Sequence, residues 1–189
     1  MPRPPILPRL DWRAIFDAAV PFREWIRSGE SADNRERMLQ ALSGPLLEPA
    51  DHRRLAGLTR PVHVVAIAED WCGDVVRHVP VLEALAGATN QLRVGYVGRA
   101  LHPDVLARFL TNGGEAIPRF VFLSEEFVEC GNWGPMPARC RAVIARGKAC
   151  GDLPAARRKV AELYAADPGR REVIDELLEL LEIAVALHP

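Results

Sequence analysis

Val62-His63-Val64-Val65-Ala66-Ile67-Ala68-Glu69-Asp70-Trp71-Cys72-Gly73-Asp74 is the stretch whose reading decides the fold. An apolar, largely β-branched run ends in two carboxylates, an aromatic, a cysteine and a glycine. Continuous apolar residues without alternation describe a strand buried on both faces of a parallel or mixed sheet. From Val75 to about Ala86 the apolar spacing becomes helical. A helix beginning just past a cysteine directs its unpaired N–H groups and positive dipole end at that side chain, which favours a thiolate. Cys72 is therefore the candidate reactive group.

Upstream, Met1 to Pro8 is Pro-rich and reads as an extended arm. With Asp11 as N-cap, Trp12, Ile15, Phe16, Ala19, Phe22, Trp25 and Ile26 recur at helical spacing, and Pro21 kinks or divides the element. A second helix is expected from Ser31 to Ala41, capped by Ser31 or Asp33 and stopped by Ser43-Gly44-Pro45. A short third covers about Pro49 to Gly57. Downstream, Leu92 to Val97 reads as a strand, and Pro103 to Leu110 as a helix running into the Thr111-Asn112-Gly113-Gly114 loop.

Phe120–Leu123 and Phe127–Cys130 are expected to form an antiparallel hairpin across Ser124-Glu125-Glu126, with 131–137 as a turn-rich connector. Helices follow over Ala138 to Arg146, Leu153 or Pro154 to Ala166, and Arg170 to Leu187. The last carries two apolar seams, which suggests packing in a groove or a homodimer interface. The chain divides into a helical preface at 1–60, an α/β domain at 61–148 and a helical extension at 149–189 packed on the same domain.

The 189 residues are 49% hydrophobic and 26% charged, an ordinary globular balance with length enough for a sizeable core. A formal net charge of -1 argues against nucleic acid or an anionic membrane as the main partner. No apolar run reaches the roughly 18 residues of a membrane span, and the first eight lack the apolar segment of a secretory signal. Cytoplasmic location is the expectation. Cys72, Cys130, Cys140 and Cys150 have neither C-x-x-C nor zinc-ligand spacing, so no metal is expected and a reducing compartment fits.

The β-α-β-α-β-β-α order with an aromatic-Cys-Gly corner after the first strand resembles the thioredoxin fold, a mixed central sheet flanked by helices. More closely, the chain resembles a bacterial thioredoxin-like family marked by Glu-Asp-Trp-Cys-Gly-Asp, Thr-Asn-Gly-Gly, Ile-Pro and Trp-Gly-Pro, present here at 69–74, 111–114, 117–118 and 133–135. The resemblance spans about 60–148 and implies a cis Pro118 beside Cys72, with its flanking backbone open to a substrate chain. Two departures matter. The second thiol of an active thioredoxin would stand at Val75, and its buried proton-relay Asp at Ala66.

The implied site is Cys72 with Trp71, Gly73, Asp74, Ile117 and Pro118. Trp71 is expected to pack beside the thiol and limit access to it. Asp74 is expected to favour the helix N-terminus, and with Glu69 and Asp70 to oppose thiolate formation by like-charge repulsion. His63 reads as a satisfied core or edge histidine, and His78 lies at the wrong helical rotation for a Cys-His pair. Cys130 is a conceivable resolving thiol, and a Cys140–Cys150 bridge is conceivable across the Gly-containing break.

The resemblance implies monothiol disulfide exchange through Cys72, with no cofactor and with a protein or small-molecule thiol such as glutathione as partner. The rival reading is a catalytically degenerate binding or scaffolding module. An iron–sulfur carrier of the monothiol glutaredoxin kind fits less well, since Cys72-Gly73-Asp74-Val75 sets an acid where an anionic cluster would crowd.

Overall fold

Strand β1 (Val62–Ile67) is buried at every position, as its unbroken apolar run requires. In the computed structural model, which describes residues 9–100 and 103–186, β1 lies inside a four-stranded sheet of order β2-β1-β3-β4. It pairs in parallel with β2 (Leu92–Val97) and antiparallel with β3 (Arg119–Leu123), which pairs antiparallel with β4 (Glu129–Trp133). A mixed sheet with helices on both faces is the architecture that the resemblance implied.

The nine helices of the described residues are α1 (Trp12–Asp17), α2 (Phe22–Ser28), α3 (Ala32–Ser43), α4 (Pro49–Ala56), α5 (Gly73–Gly87), α6 (Pro103–Arg108), α7 (Ala138–Ala149), α8 (Leu153–Ala166) and α9 (Arg171–Val185). Asp11 and Ser31 cap α1 and α3 through their side chains, accepting from Ala14 N and Asn34 N. The division at Pro21 separates α1 from α2, and Val20 between them bridges Tyr96 at the outer edge of β2. That added bridge has no sequence signal. The first eight residues, and Leu187 at the expected end of the last helix, lie outside the described residues.

Side chains alternate across the sheet, so His63, Val65 and their neighbour Gly95 face one way while Val64 and Phe122 face the other. Phe16 of α1 packs against the first face: its ring meets His63 edge-on and lies 3.4 Å from where a Cβ on Gly95 would stand. Helix α9 packs on the second, where Leu180 approaches Gly131 so closely that a Cβ there would sit 2.7 Å from it. Gly131 is thus a strand glycine that admits a helix.

The hairpin differs from the expected one. Strand β4 begins at Glu129 and runs through Gly131 and Asn132 to Trp133, pairing Phe122 with Gly131, Val121 with Asn132 and Phe120 with Trp133. Phe127 is not in it. Phe127 turns the chain at φ 62° and stacks on His63 with ring centroids 4.2 Å apart. An apolar residue that reads as a strand start instead covers a buried imidazole.

Both apolar seams of α9 are used inside the chain: Val173, Ile174, Leu177, Leu178, Leu181 and Ala184 are all buried. The groove packing that the two seams suggested is thus found within the chain. Helix α9 is also tied to α4, where the Arg171 guanidinium donates to both oxygens of the buried Asp51 at 2.6 and 2.9 Å. That fork holds the Asp51 carboxyl below the usual carboxylate range. Among the described residues no helix is long and apolar enough to cross a membrane.

Candidate functional site

Cys72 sits where β1 has ended and α5 begins, and it is the N-cap residue of that helix. Its side chain is half-buried, and its Sγ–H donates to the carbonyl of Ile117 at 3.5 Å. The Ile117–Pro118 peptide bond is cis, as is Gly134–Pro135. Gly73 opens the first turn of α5 with nothing near its missing Cβ. Trp71 is 55% exposed and lines, together with Cys72, a cavity of about 510 Å³.

The two acids before the cysteine are structural. Asp70 is buried and accepts from Ser31 N at 2.6 Å, while its carbonyl takes the Asn34 amide at 2.9 Å. Glu69 accepts from Arg99 N at 2.7 Å. They fasten the start of α3 and the loop after β2 to the corner, so the carboxylate that acts on the thiol is Asp74 alone.

Burial is the main influence on Cys72 and pushes its thiol above the ordinary range. The backbone N–H groups of Val75 and Asp74 pull the other way, Asp74's charge adds to the rise, and Arg99 opposes it. The helix start thus acts as expected on Cys72, but desolvation outweighs it. Alkylation of Cys72 by iodoacetamide, followed by peptide mass, is therefore expected to keep accelerating as pH rises, with a midpoint above the roughly 8.5 of a free thiol. A plateau reached below pH 8 would contradict this balance.

Asp74 accepts from the Tyr164 hydroxyl at 2.9 Å, and Tyr164 in turn meets His78 Nε2 at 3.1 Å. With Tyr164 donating to Asp74, the imidazole must donate through Nε2, which leaves its buried Nδ1 without a partner. Full burial and two neighbouring arginines lower the His78 pKa to about 3, so the ring is neutral. His78 is set against Tyr164 and Trp133, not against the thiol, in keeping with its rotation along the helix. Tyr164 comes from α8, and no local pattern announces its part in the site.

The other motifs converge on Pro118. A Cβ on Gly134 would lie 2.0 Å from the Pro118 carbonyl oxygen, so Trp133-Gly134-Pro135 is pressed against the cis-proline. Trp133 itself is structural, stacked on Phe120 with its indole N–H donated to Glu176. Thr111 and Gly114 exchange backbone hydrogen bonds of 2.8 and 3.0 Å around Asn112 and Gly113, both at positive φ, the backbone of a tight primed turn. The buried Arg119, next after Pro118, joins that turn to β4 by donating to the Thr111 hydroxyl and to Asn132 Oδ1. Burial lowers its pKa to about 10.

The remaining cysteines stand apart from this corner. Cys130 follows Glu129, the first residue of β4 and the partner of Leu123, which pairs with His63, so it lies at the opposite end of the sheet from Cys72. Cys140 is buried in α7, and Cys150 is the exposed C-cap of the same helix. Ten residues along a helix are about 15 Å, far beyond disulfide reach, and none of the four cysteines is bridged. Among the described residues no group of three or more His, Cys, Asp or Glu side chains is placed to hold a metal ion.

A family model described as Thioredoxin matches residues 20–151, well over half of the chain. A crystal structure of a protein of unknown function from Pseudomonas aeruginosa superposes with a TM-score of 0.71 at 20% identity, covering 92% of this chain and 98% of that one. A crystal structure of an HIV epitope scaffold gives a TM-score of 0.70 at 21% identity with the same coverage. At these identities the likeness concerns the fold, which is thioredoxin-like with helical extensions. No curated protein matches the chain.

Proposed function

The chain belongs to this thioredoxin family, and from that premise we propose that it is a monothiol disulfide-exchange protein acting through Cys72. The observation that carries the reading is the position of Cys72. It is a half-buried thiol at a helix start, hydrogen-bonded to the backbone beside a cis-proline and opening onto two cavities. None of the other three cysteines shares that setting.

In the reaction, the Cys72 thiolate attacks one sulfur of a disulfide. The Cys72–sulfur bond forms, the disulfide S–S bond breaks, and one thiolate leaves. A second thiol, as thiolate, then attacks the outer sulfur of the mixed disulfide and releases the Cys72 thiolate. The incoming thiol supplies the electrons and is oxidised, while the disulfide's first half is reduced. With Val75 in place of a second cysteine and Cys130 across the sheet, the resolving thiol has to be external, and glutathione is the proposed one.

Incubation with glutathione disulfide followed by peptide mass tests this. One glutathione is expected on Cys72, removed again by added reduced glutathione. Modification of the other cysteines with Cys72 untouched would overturn the proposal. The elevated thiol pKa favours a second reading, a thioredoxin fold kept as a binding module, and that same absence of modification at Cys72 is the result it expects.

A further inference from the structure

Cys72 also lines a second cavity, of about 500 Å³, to which Trp71 does not contribute, within the size range of small-molecule sites. Three arginines line it, each from a different part of the chain: Arg37 from α3, Arg77 from α5 and Arg170 from the residue that caps α9. Among the described residues none of the three forms an ion pair. Arg37 donates to Asn34 Oδ1 at 3.3 Å. Arg77 lies 4.2 Å over the Tyr164 ring and donates through Nη2 to the carbonyls of Tyr164 and Asp167, each at 3.0 Å.

The cationic charge here is only partly offset, by Asp167 near Arg170 and Asp74 near Arg77, neither of which forms an ion pair with them. Nε of Arg77 and both Nε and Nη1 of Arg170 are buried without any hydrogen-bond partner. Burial disfavours the charge on Arg170 most, repulsion from Arg77 adds to it, and Asp167 opposes them. Buried N–H donors left unpaired are costly, and buried like charges more so. The nearby carboxylates are engaged elsewhere. Asp167 accepts from the first N–H groups of α9, Arg171 N at 2.9 Å and Glu172 N at 3.2 Å. Asp74, which lines the cavity, holds the Tyr164 hydroxyl. Arg170 moreover takes a left-handed backbone at φ 57°, unfavourable for a residue with a Cβ, to occupy this place.

We propose that Arg37, Arg77 and Arg170 form an anion-binding pocket that seats the carboxylate of a low-molecular-weight thiol or disulfide with its sulfur toward Cys72. The pocket rests on the thiol-exchange reading for the sulfur but not for the anion. A carboxylate accepts guanidinium N–H pairs in a bidentate fork and supplies the missing counter-charge. Because Arg37 and Arg170 lie outside the β1–α7 segment, the helical extensions act here as parts of the site, not only as packing.

The test separates the anion from the chemistry by using S-methylglutathione, which has carboxylates but no thiol to exchange. Calorimetric titration into the full chain is expected to show binding that weakens about tenfold or more in Arg170→Gln and in Arg37→Gln, and likewise when the probe's carboxylates are esterified. Arg158→Gln, on the exposed face of α8, is the control expected to bind like wild type. Arg37 is exposed, so its variant keeps the test valid should Arg170→Gln fail to fold. Unchanged affinity in Arg37→Gln, or equal binding of the esterified probe, overturns the pocket, whatever Cys72 does. Arginine-dependent binding without any mixed disulfide at Cys72 upholds the pocket and removes the exchange reading instead.

Discussion

Gly134→Ala is expected to lower the unfolding free energy by more than about 3 kcal/mol and to disorganise the Cys72 corner with it. An added Cβ would stand 2.0 Å from the Pro118 carbonyl oxygen, 3.0 Å from its carbon and 3.3 Å from the Arg119 Cα. All three are backbone atoms, so no side chain can rotate away. The residue also sits at φ 125°, a conformation that alanine adopts only under strain. Relief would require either β4 to leave β3, where Trp133 pairs with Phe120, or Pro118 to move. Pro118 follows Ile117, whose carbonyl accepts the Cys72 thiol, so the second route alters the site directly. Gly73→Ala is the comparison: nothing lies within 4 Å of that Cβ, and alanine at a helix start changes stability by less than about 1 kcal/mol. Urea unfolding of the two variants measures the difference. A loss below about 1 kcal/mol in Gly134→Ala would show that Pro118 and the Trp-Gly-Pro turn are not locked together.

The elements with strong periodicity were legible in the sequence. The apolar run of β1, the helical spacing of α5 and the caps at Asp11 and Ser31 lie where the residue pattern put them. The hairpin was not, because tertiary contacts override local preference there. Gly131 and Asn132 carry turn signals but pair with β3, since only a glycine admits Leu180 of α9 at that point. Phe127 carries a strand signal but leaves the sheet to stack on His63. Within the site, the thiol corner was legible as a motif, whereas the balance on its pKa was not. That balance depends on how deeply Cys72 is buried and on which carboxylates turn toward it. Glu69 and Asp70 look like repulsive neighbours in one dimension and prove to be anchors for distant loops. Tyr164 and Arg170 reach the site from about 90 residues downstream, where no spacing rule connects them to Cys72.

Cys72→Ser is expected to bring disulfide exchange down to the uncatalysed rate, the largest functional effect of any single change in the chain. A serine hydroxyl is not ionised near neutral pH and forms no mixed disulfide, so both steps of the exchange are lost. The fold has no reason to suffer. Cys72 contributes one long thiol hydrogen bond to Ile117, and serine also suits an N-cap. Cys130→Ser is expected to retain the wild-type rate, because Cys130 lies at the far end of the sheet. The deciding measurement is turnover of hydroxyethyl disulfide with reduced glutathione by the wild type and these two variants. Loss confined to Cys72→Ser is the predicted result; undiminished turnover in Cys72→Ser would contradict the assignment of exchange to this thiol.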